Sequence, residues 1–284
     1  MIISFFHSWI NSSRALIILP FLLMAFIAGC ASAPEEPEYI ERPVEELYNE
    51  ALDFLNAKNY SLAIRSFEEV DRQHPYSIWA SKAQLMSGYG YYLSNRYDES
   101  IITLDRFIEL HPAHEDIAYA YYLKAINYYD QIVDVARDQK ITVQALSALQ
   151  EVVRRFPSSD YGRDANLKLD LTKDHLAGKE MYVGRFYLKR GESLAAIGRF
   201  REVLATYQTT THVPEALYRL VEAYMSLGVL EQAQASAAVL GHNFPGSDWY
   251  ADAYDLFTNN GVRIGDAALE DDASWIGKIW NSWF

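Results

Sequence analysis

The sequence predicts an all-α protein, a right-handed superhelix of about five stacked helix pairs. The first observation is a helical pattern that recurs: Ala63-Ile64, Phe67, Val70 and Pro75 are echoed 37 residues later by Ser100-Ile101, Leu104, Phe107 and Pro112. Three further copies follow at Ala145, Leu149, Pro157, at Ala196, Phe200, Gln208, and at Ala233, Ala237, Pro245. The second is a small residue with an aromatic three places on, upstream of each copy: Ala51 and Phe54, Gly88 and Tyr91, Ala125 and Tyr128, Gly184 and Tyr187, Val221 and Tyr224. The third is composition, since half of the 284 residues are apolar and the chain can bury a substantial core.

The N-terminal elements come first. Residues 1–29 hold one base, Arg14, and no acid, and the apolar run Ala15 to Gly29 is shorter than the roughly 20 residues of a spanning helix. It has the length of a signal-peptide core. It ends in Ile27-Ala28-Gly29-Cys30, which resembles the bacterial lipobox, where small residues admit the signal peptidase and the Cys thiol becomes diacylglyceryl-modified. An anchor that is never cleaved is the alternative. Cys30 is the only cysteine, so an intrachain disulfide and a Cys-based zinc site are excluded. By the same resemblance, covalent N-acyl and S-diacylglycerol lipid on Cys30 would attach the chain to the inner leaflet of the outer membrane, facing the periplasm, and Ala31 after the Cys implies that sorting. No other cofactor is expected. Residues 30–43 form a tether, because prolines 34, 37 and 43 stand among acids in ASAPEEPEYIERP and favour extended chain over a core.

In each repeat the small residue marks where two antiparallel helices cross closely and the aromatic fills the space beside it, and in all but the fourth proline stops the second helix. The pattern resembles the tetratricopeptide repeat over about residues 44–250, with Pro214 through Ala233 as the best copy. The spacing of the small second-helix residue runs 37, 45, 51 and 37, longer than the 34 residues usual in that family. Eight extra residues fall near Asp134 to Ile141, between the helices of the third pair, and the rest lie within Asp160 to Arg190, where one long or slightly broken helix is expected. The chain therefore divides into residues 44–157, three repeats, and 158–250, further repeats with a long linking helix. Residues 251–284 form an acidic and aromatic tail in which Ser274 would cap a short helix bearing Trp275, Ile279, Trp280 and Trp283; a tail without order is the alternative.

Stacked pairs leave a concave face lined by first helices. By resemblance to the repeat family, that face presents Tyr48, Leu52 and Leu55, then Leu85, Tyr89 and Tyr92, then Tyr119, Tyr122, Ile126 and Tyr129. Ten of the 21 tyrosines lie between Tyr76 and Tyr129, and tyrosine joins large contact area to few rotors and a polar tip. The alternative is a superhelix closed on itself with these rings inside. The fourth and fifth pairs present Met181, Arg185, Leu188, Tyr218, Glu222 and Met225, a more polar surface for a partner, with Arg185, Tyr218 and Glu222 as its contacts.

Other functions find little support. With 25 basic against 38 acidic residues the net charge is −13, which disfavours nucleic acid. Gly88-Tyr-Gly90 lacks the third glycine of a nucleotide fingerprint, and His111, His114, Glu115 and Asp116 read as a capping turn rather than a metal site. No nucleophile stands near a base, so no catalytic residue is expected.

His74-Pro-Tyr-Ser77, Leu104-Asp-Arg-Phe-Ile108 with His111-Pro112, Tyr119-Ala-Tyr-Tyr122, Ser158-Ser-Asp-Tyr161 and Arg185-Phe-Tyr187 together resemble the BamD family of the outer-membrane β-barrel assembly machinery, from Cys30 to about residue 250. The resemblance implies a non-enzymatic scaffold that receives unfolded outer-membrane β-barrel proteins through its N-terminal repeats and binds BamA, alongside other Bam lipoproteins, through its C-terminal ones. A periplasmic tetratricopeptide lipoprotein serving as an adaptor for peptidoglycan enzymes is the competing reading.

Overall fold

The computed structural model describes residues 41–261, so the signal segment, Cys30, most of the tether and the Ser274 helix lie outside the described residues. Five helix pairs follow one another. They are α1 (Val44–Asn56) with α2 (Tyr60–Gln73), α3 (Ile78–Leu93) with α4 (Tyr97–Leu110), α5 (Ile117–Tyr129) with α6 (Lys140–Arg155), α7 (Asp160–Lys189) with α8 (Ser193–Thr206), and α9 (Val213–Ser226) with α10 (Leu230–Asn243). An eleventh helix, α11 (Asp248–Asn259), packs on α9 and α10.

Two local devices repeat along the array, and both are written in the sequence. Between the helices of a pair the chain turns through one residue of positive φ: Lys58, Asn95, Gly191 or Gly228. The next N–H then reaches back to the carbonyl of the motif aromatic, Asn59 to Phe54 at 2.8 Å, Arg96 to Tyr91 at 2.9 Å, Glu192 to Tyr187 and Val229 to Tyr224 at 3.0 Å, which satisfies a carbonyl left open at the helix end. The third pair replaces this turn with residues 130–139, where the sequence placed its extra length.

Between pairs, the N–H of Ser77, His114, Ser159, Thr210 or Ser247 donates to the carbonyl three residues earlier at 3.0–3.1 Å. The same residue often caps the next helix. Ser77 Oγ accepts from the Trp79 N–H at 3.0 Å, Ser159 Oγ from Gly162 at 2.9 Å and Ser247 Oγ from Trp249 at 3.2 Å. His114 takes the same place with a ring nitrogen, Nδ1 accepting from the Asp116 N–H at 3.1 Å, while both His111 and His114 lie against the Phe107 ring. Because a lost N-cap costs about 1 kcal/mol, Ser159→Ala is expected to lower stability by about that much, read from urea unfolding, with the first turn of α7 losing exchange protection before the rest.

The core lies within and between the pairs. Phe67, Phe107, Phe200 and Phe257 are fully buried, as are Leu104, Leu149 and Leu240. The small first-helix residues do what their spacing predicts: a Cβ at Gly88 would come within 3.0 Å of Leu104, and one at Gly184 would overlap the Phe200 ring. Each first helix also touches the first helix of the next pair, whereas no comparable contact joins second helices among the described residues, so the first helices share one face of the array.

One element meets the sequence reading in extent and another differs from it. The long helix α7 runs unbroken for 30 residues. The expected tail boundary at 251 falls inside α11, whose Ala253 and Phe257 are buried; they carry apolar side chains one helical turn apart that close the end of the core.

Candidate functional site

The tyrosines of the second and third pairs converge on the shared face of α3, α5 and the start of α7. Tyr89 lies 6.3 Å from Tyr92 and 6.5 Å from Tyr119, ring centre to ring centre. Tyr161, at the start of α7, joins Tyr119 at 5.4 Å and Tyr122 at 5.3 Å. The five rings form one continuous stripe across three first helices. Tyr89, Tyr92, Tyr119 and Tyr122 are each half-buried and Tyr161 is 37% exposed, so the stripe is open on one side.

Carboxylates hold two of the hydroxyls. Tyr92 donates to Asp130 at 2.7 Å and Tyr122 to Asp164 at 2.5 Å. Burial, and then the bond to Asp130, push the Tyr92 hydroxyl up to about 12. Burial and the Asp164 bond raise Tyr122 in the same way, and burial chiefly raises Tyr119. Asp164 moves the other way: the Tyr122 hydroxyl first, and Lys168 at 2.9 Å, hold its carboxyl below the usual range against the opposing effect of burial. These phenols stay protonated throughout the physiological range and carry no charge, and the one O–H of Tyr92 and of Tyr122 is committed to its carboxylate.

The other expected groove residues are placed differently. Leu85 is a correction: it is 4% exposed and lies in the core with Leu104, Phe107, Ala120 and Leu123, because the α3–α5 contact closes over its side of the helix. Leu55, Ile126 and Met181 are likewise buried. Tyr48 is wedged between Phe67 at 5.5 Å and Trp79 at 4.8 Å, joining the first pair to α3, and Leu52 packs on the same cluster. Tyr129 rests on the core of the third pair beneath the Lys168 ammonium. The sequence reading missed Tyr161, Asp130 and Asp164. Tyr161 and Asp164 open the long helix and Asp130 follows α5, so repeat arithmetic does not reach them.

The second expected surface is a linked network. Arg185 on α7 pairs with Glu215 on α9 at 2.9 Å, and Arg219 pairs with both Glu215 at 3.3 Å and Glu222 at 2.6 Å. The Arg219 guanidinium lies 5.2 Å over Tyr218 and 5.4 Å over Trp249, whose rings are 5.5 Å apart. Burial works against the Arg219 charge, but Glu222 and Glu215 outweigh it and raise its pKa. Arg185, Tyr218 and Glu222 thus hold α7, α9 and α11 together. A separate cleft of about 290 Å³ between α5 and α6 is lined by Tyr121, Lys124, Tyr128, Gln144, Ser147 and Glu151. Its charges are already engaged, Lys124 by Asp105 and Glu151 by Arg154.

No group of three or more metal-ligating side chains occurs among the described residues, nor does any helix long and apolar enough to cross a membrane. A family model described as an outer membrane lipoprotein, YfiO, matches residues 40–254. The chain belongs to this family. Proteins named outer membrane protein assembly factor BamD are similar along most of it: that of Caulobacter vibrioides is 53% identical over 251 residues, 88% of this chain and 82% of its own. The Rickettsia prowazekii protein is 45% identical, covering 84% of this chain and 95% of its own, and that of Neisseria meningitidis serogroup A is 36% identical, covering 74% and 83%. The YfiO match spans both the tyrosine stripe and the Arg219 network and ends within α11, so residues 255–284 lie beyond it.

Proposed function

We propose that the tyrosine stripe receives aromatic-rich strands of unfolded outer-membrane β-barrel proteins, while the surface around α7 and α9 meets BamA. The chain is an outer membrane protein assembly factor of the BamD kind, taking part in the outer-membrane assembly complex as a non-catalytic scaffold. Lipid on Cys30 ties it to the outer membrane, and the helical array faces the periplasm.

The observation that carries the substrate reading is the spacing of the rings. Side chains on one face of an extended strand recur at about 6.6–6.8 Å. The tyrosine centres along the stripe are 5.3–6.5 Å apart. An extended segment with aromatic residues at alternate positions therefore finds a ring for each, and the phenol oxygens of Tyr92 and Tyr122, whose hydrogens go to Asp130 and Asp164, are acceptors for its backbone N–H groups. Photo-crosslinking in cells from positions 92 and 122 is expected to capture barrel precursors, and from 185 and 218 to capture BamA. Capture of peptidoglycan enzymes alone would overturn the proposal. In solution, Tyr92→Ala with Tyr122→Ala is expected to weaken binding of an aromatic strand peptide about tenfold while helix content by circular dichroism stays unchanged.

A further inference from the structure

The tyrosine stripe is bordered mainly by carboxylates. Asp130 and Asp164 accept from Tyr92 and Tyr122, and Asp116, at the start of α5, acts on both Tyr119 and Tyr48. A phenol hydroxyl occupies one of the roughly four acceptor positions of a carboxylate and leaves its charge in place. The cation that the described contacts set at the stripe is Lys168, and it is committed to Asp164 at 2.9 Å and to the Tyr129 ring at 5.6 Å. Among the described residues the Asp116 carboxylate has only the His114 ring, at 3.8 Å, whose Nδ1 accepts from the Asp116 N–H. For Asp130 no cation lies within ion-pair distance among the described residues, and it is exposed in the segment that follows α5.

We propose that this groove selects extended peptides that carry lysine or arginine beside their aromatic residues, with Asp130 as the main specificity determinant. The inference rests on the stripe being the peptide site. A bound strand lays its aromatic side chains on the tyrosines and its intervening side chains leave from the opposite face, from which the long flexible stem of a lysine or arginine bends over the strand edge to the carboxylates at the rim. A cation arriving there meets a carboxylate already oriented by its tyrosine, so little ordering is needed. A carboxylate arriving there is repelled. The tyrosines set which shape binds, and the aspartates set which charge.

The test uses two synthetic ten-residue peptides, both acetylated and amidated, with tyrosine or phenylalanine at alternate positions. Two of the intervening positions are lysine in one and glutamate in the other. Binding to the full folded chain is measured by fluorescence anisotropy at low and high salt. The lysine peptide is expected to bind about threefold or more tighter at low salt, with the preference shrinking as salt rises. Asp130→Asn, at an exposed position, should cut that preference by about half. Glu231→Gln removes the same charge from α10 and should leave it unchanged. Equal affinities for the two peptides, or equal effects of Asp130→Asn and Glu231→Gln, would overturn the charge selection while leaving the groove intact. Binding indifferent to Tyr92→Ala with Tyr122→Ala would overturn the groove itself, and this inference with it.

Discussion

Phe200→Ala is expected to destabilise the C-terminal half of the array by about 3–5 kcal/mol, the usual range for emptying a buried phenylalanine site. The Phe200 ring is fully buried in the cluster that joins α7 to α11, with Leu217, Leu220, Leu240 and Phe257. It lies so close to α7 that a Cβ at Gly184 would come within 2.8 Å of its Cζ as well as overlapping the ring edge. Removing the ring leaves a cavity that helices held at both ends by capped turns cannot collapse to fill. Thermal unfolding should fall by on the order of 10 °C. The interlock gives a sharper check. Gly184→Ala alone should destabilise, since the ring has no space to retreat, by about 1–3 kcal/mol. Gly184→Ala combined with Phe200→Leu should cost less than the sum of the two single changes, because the added methyl then occupies space the ring vacated. Strict additivity would mean that the two side chains do not share that volume.

The next largest effect is expected at Arg219. Arg219→Ala should cost about 2 kcal/mol, below the 3–5 kcal/mol of a fully buried broken pair because its side chain keeps 25% of its exposure. The loss has two parts. Glu222 is left without its 2.6 Å partner, and Glu215, with 14% of its side chain exposed, keeps only Arg185. The planar guanidinium also vanishes from over Tyr218 and Trp249, and that stacking bridges α9 to α11. Hydrogen exchange should therefore quicken first in α11, residues 248–259, and the pairs α1–α2 and α3–α4 should keep their protection, since each pair depends mainly on its neighbours. Arg219→Lys should recover only part of the loss, because an ammonium cannot match the two-carboxylate fork or stack as a plane. Unchanged exchange in α11 would show that apolar contacts through Phe257 suffice to hold it.

Both predictions concern residues that the sequence treats very differently. Phe200 is visible in advance: it occupies a fixed place in a repeated pattern, and Gly184, sixteen residues before it, is the small partner the pattern requires. The same holds for the helix boundaries. Prolines at 75, 112, 157 and 245, and the positive-φ residues at 95, 191 and 228, act through their own backbone, so short-range chemistry announces them. Arg219 is a polar residue one place after an expected contact, and nothing local marks it. Its partners come from α9 itself and, through Trp249, from α11, a helix that the expected tail boundary at 251 cuts in two.

The groove divides in the same way. Resemblance to the repeat family led to Tyr89, Tyr92, Tyr119 and Tyr122, and residues three apart do fall on one helix face. Spacing on one helix, however, does not say where the neighbouring helix lies. Leu85 shares a face with Tyr89 and Tyr92 yet is covered, because α5 packs over the N-terminal part of that face and leaves the C-terminal part open.

The sequence by itself thus determined the helix pairs, their turns, the long helix, the small-against-large packing within each pair and the family. These rest on interactions between residues close in the chain or on a pattern repeated five times. Only the tertiary structure decided which side of each first helix stays accessible, that Tyr161 completes the stripe, that Asp130 and Asp164 hold its hydroxyls, and that Arg219 ties α11 to the array. Those depend on the rotation and stacking of one pair against the next, which are set by the sum of many weak contacts between segments 30 or more residues apart and leave no periodic trace in the chain.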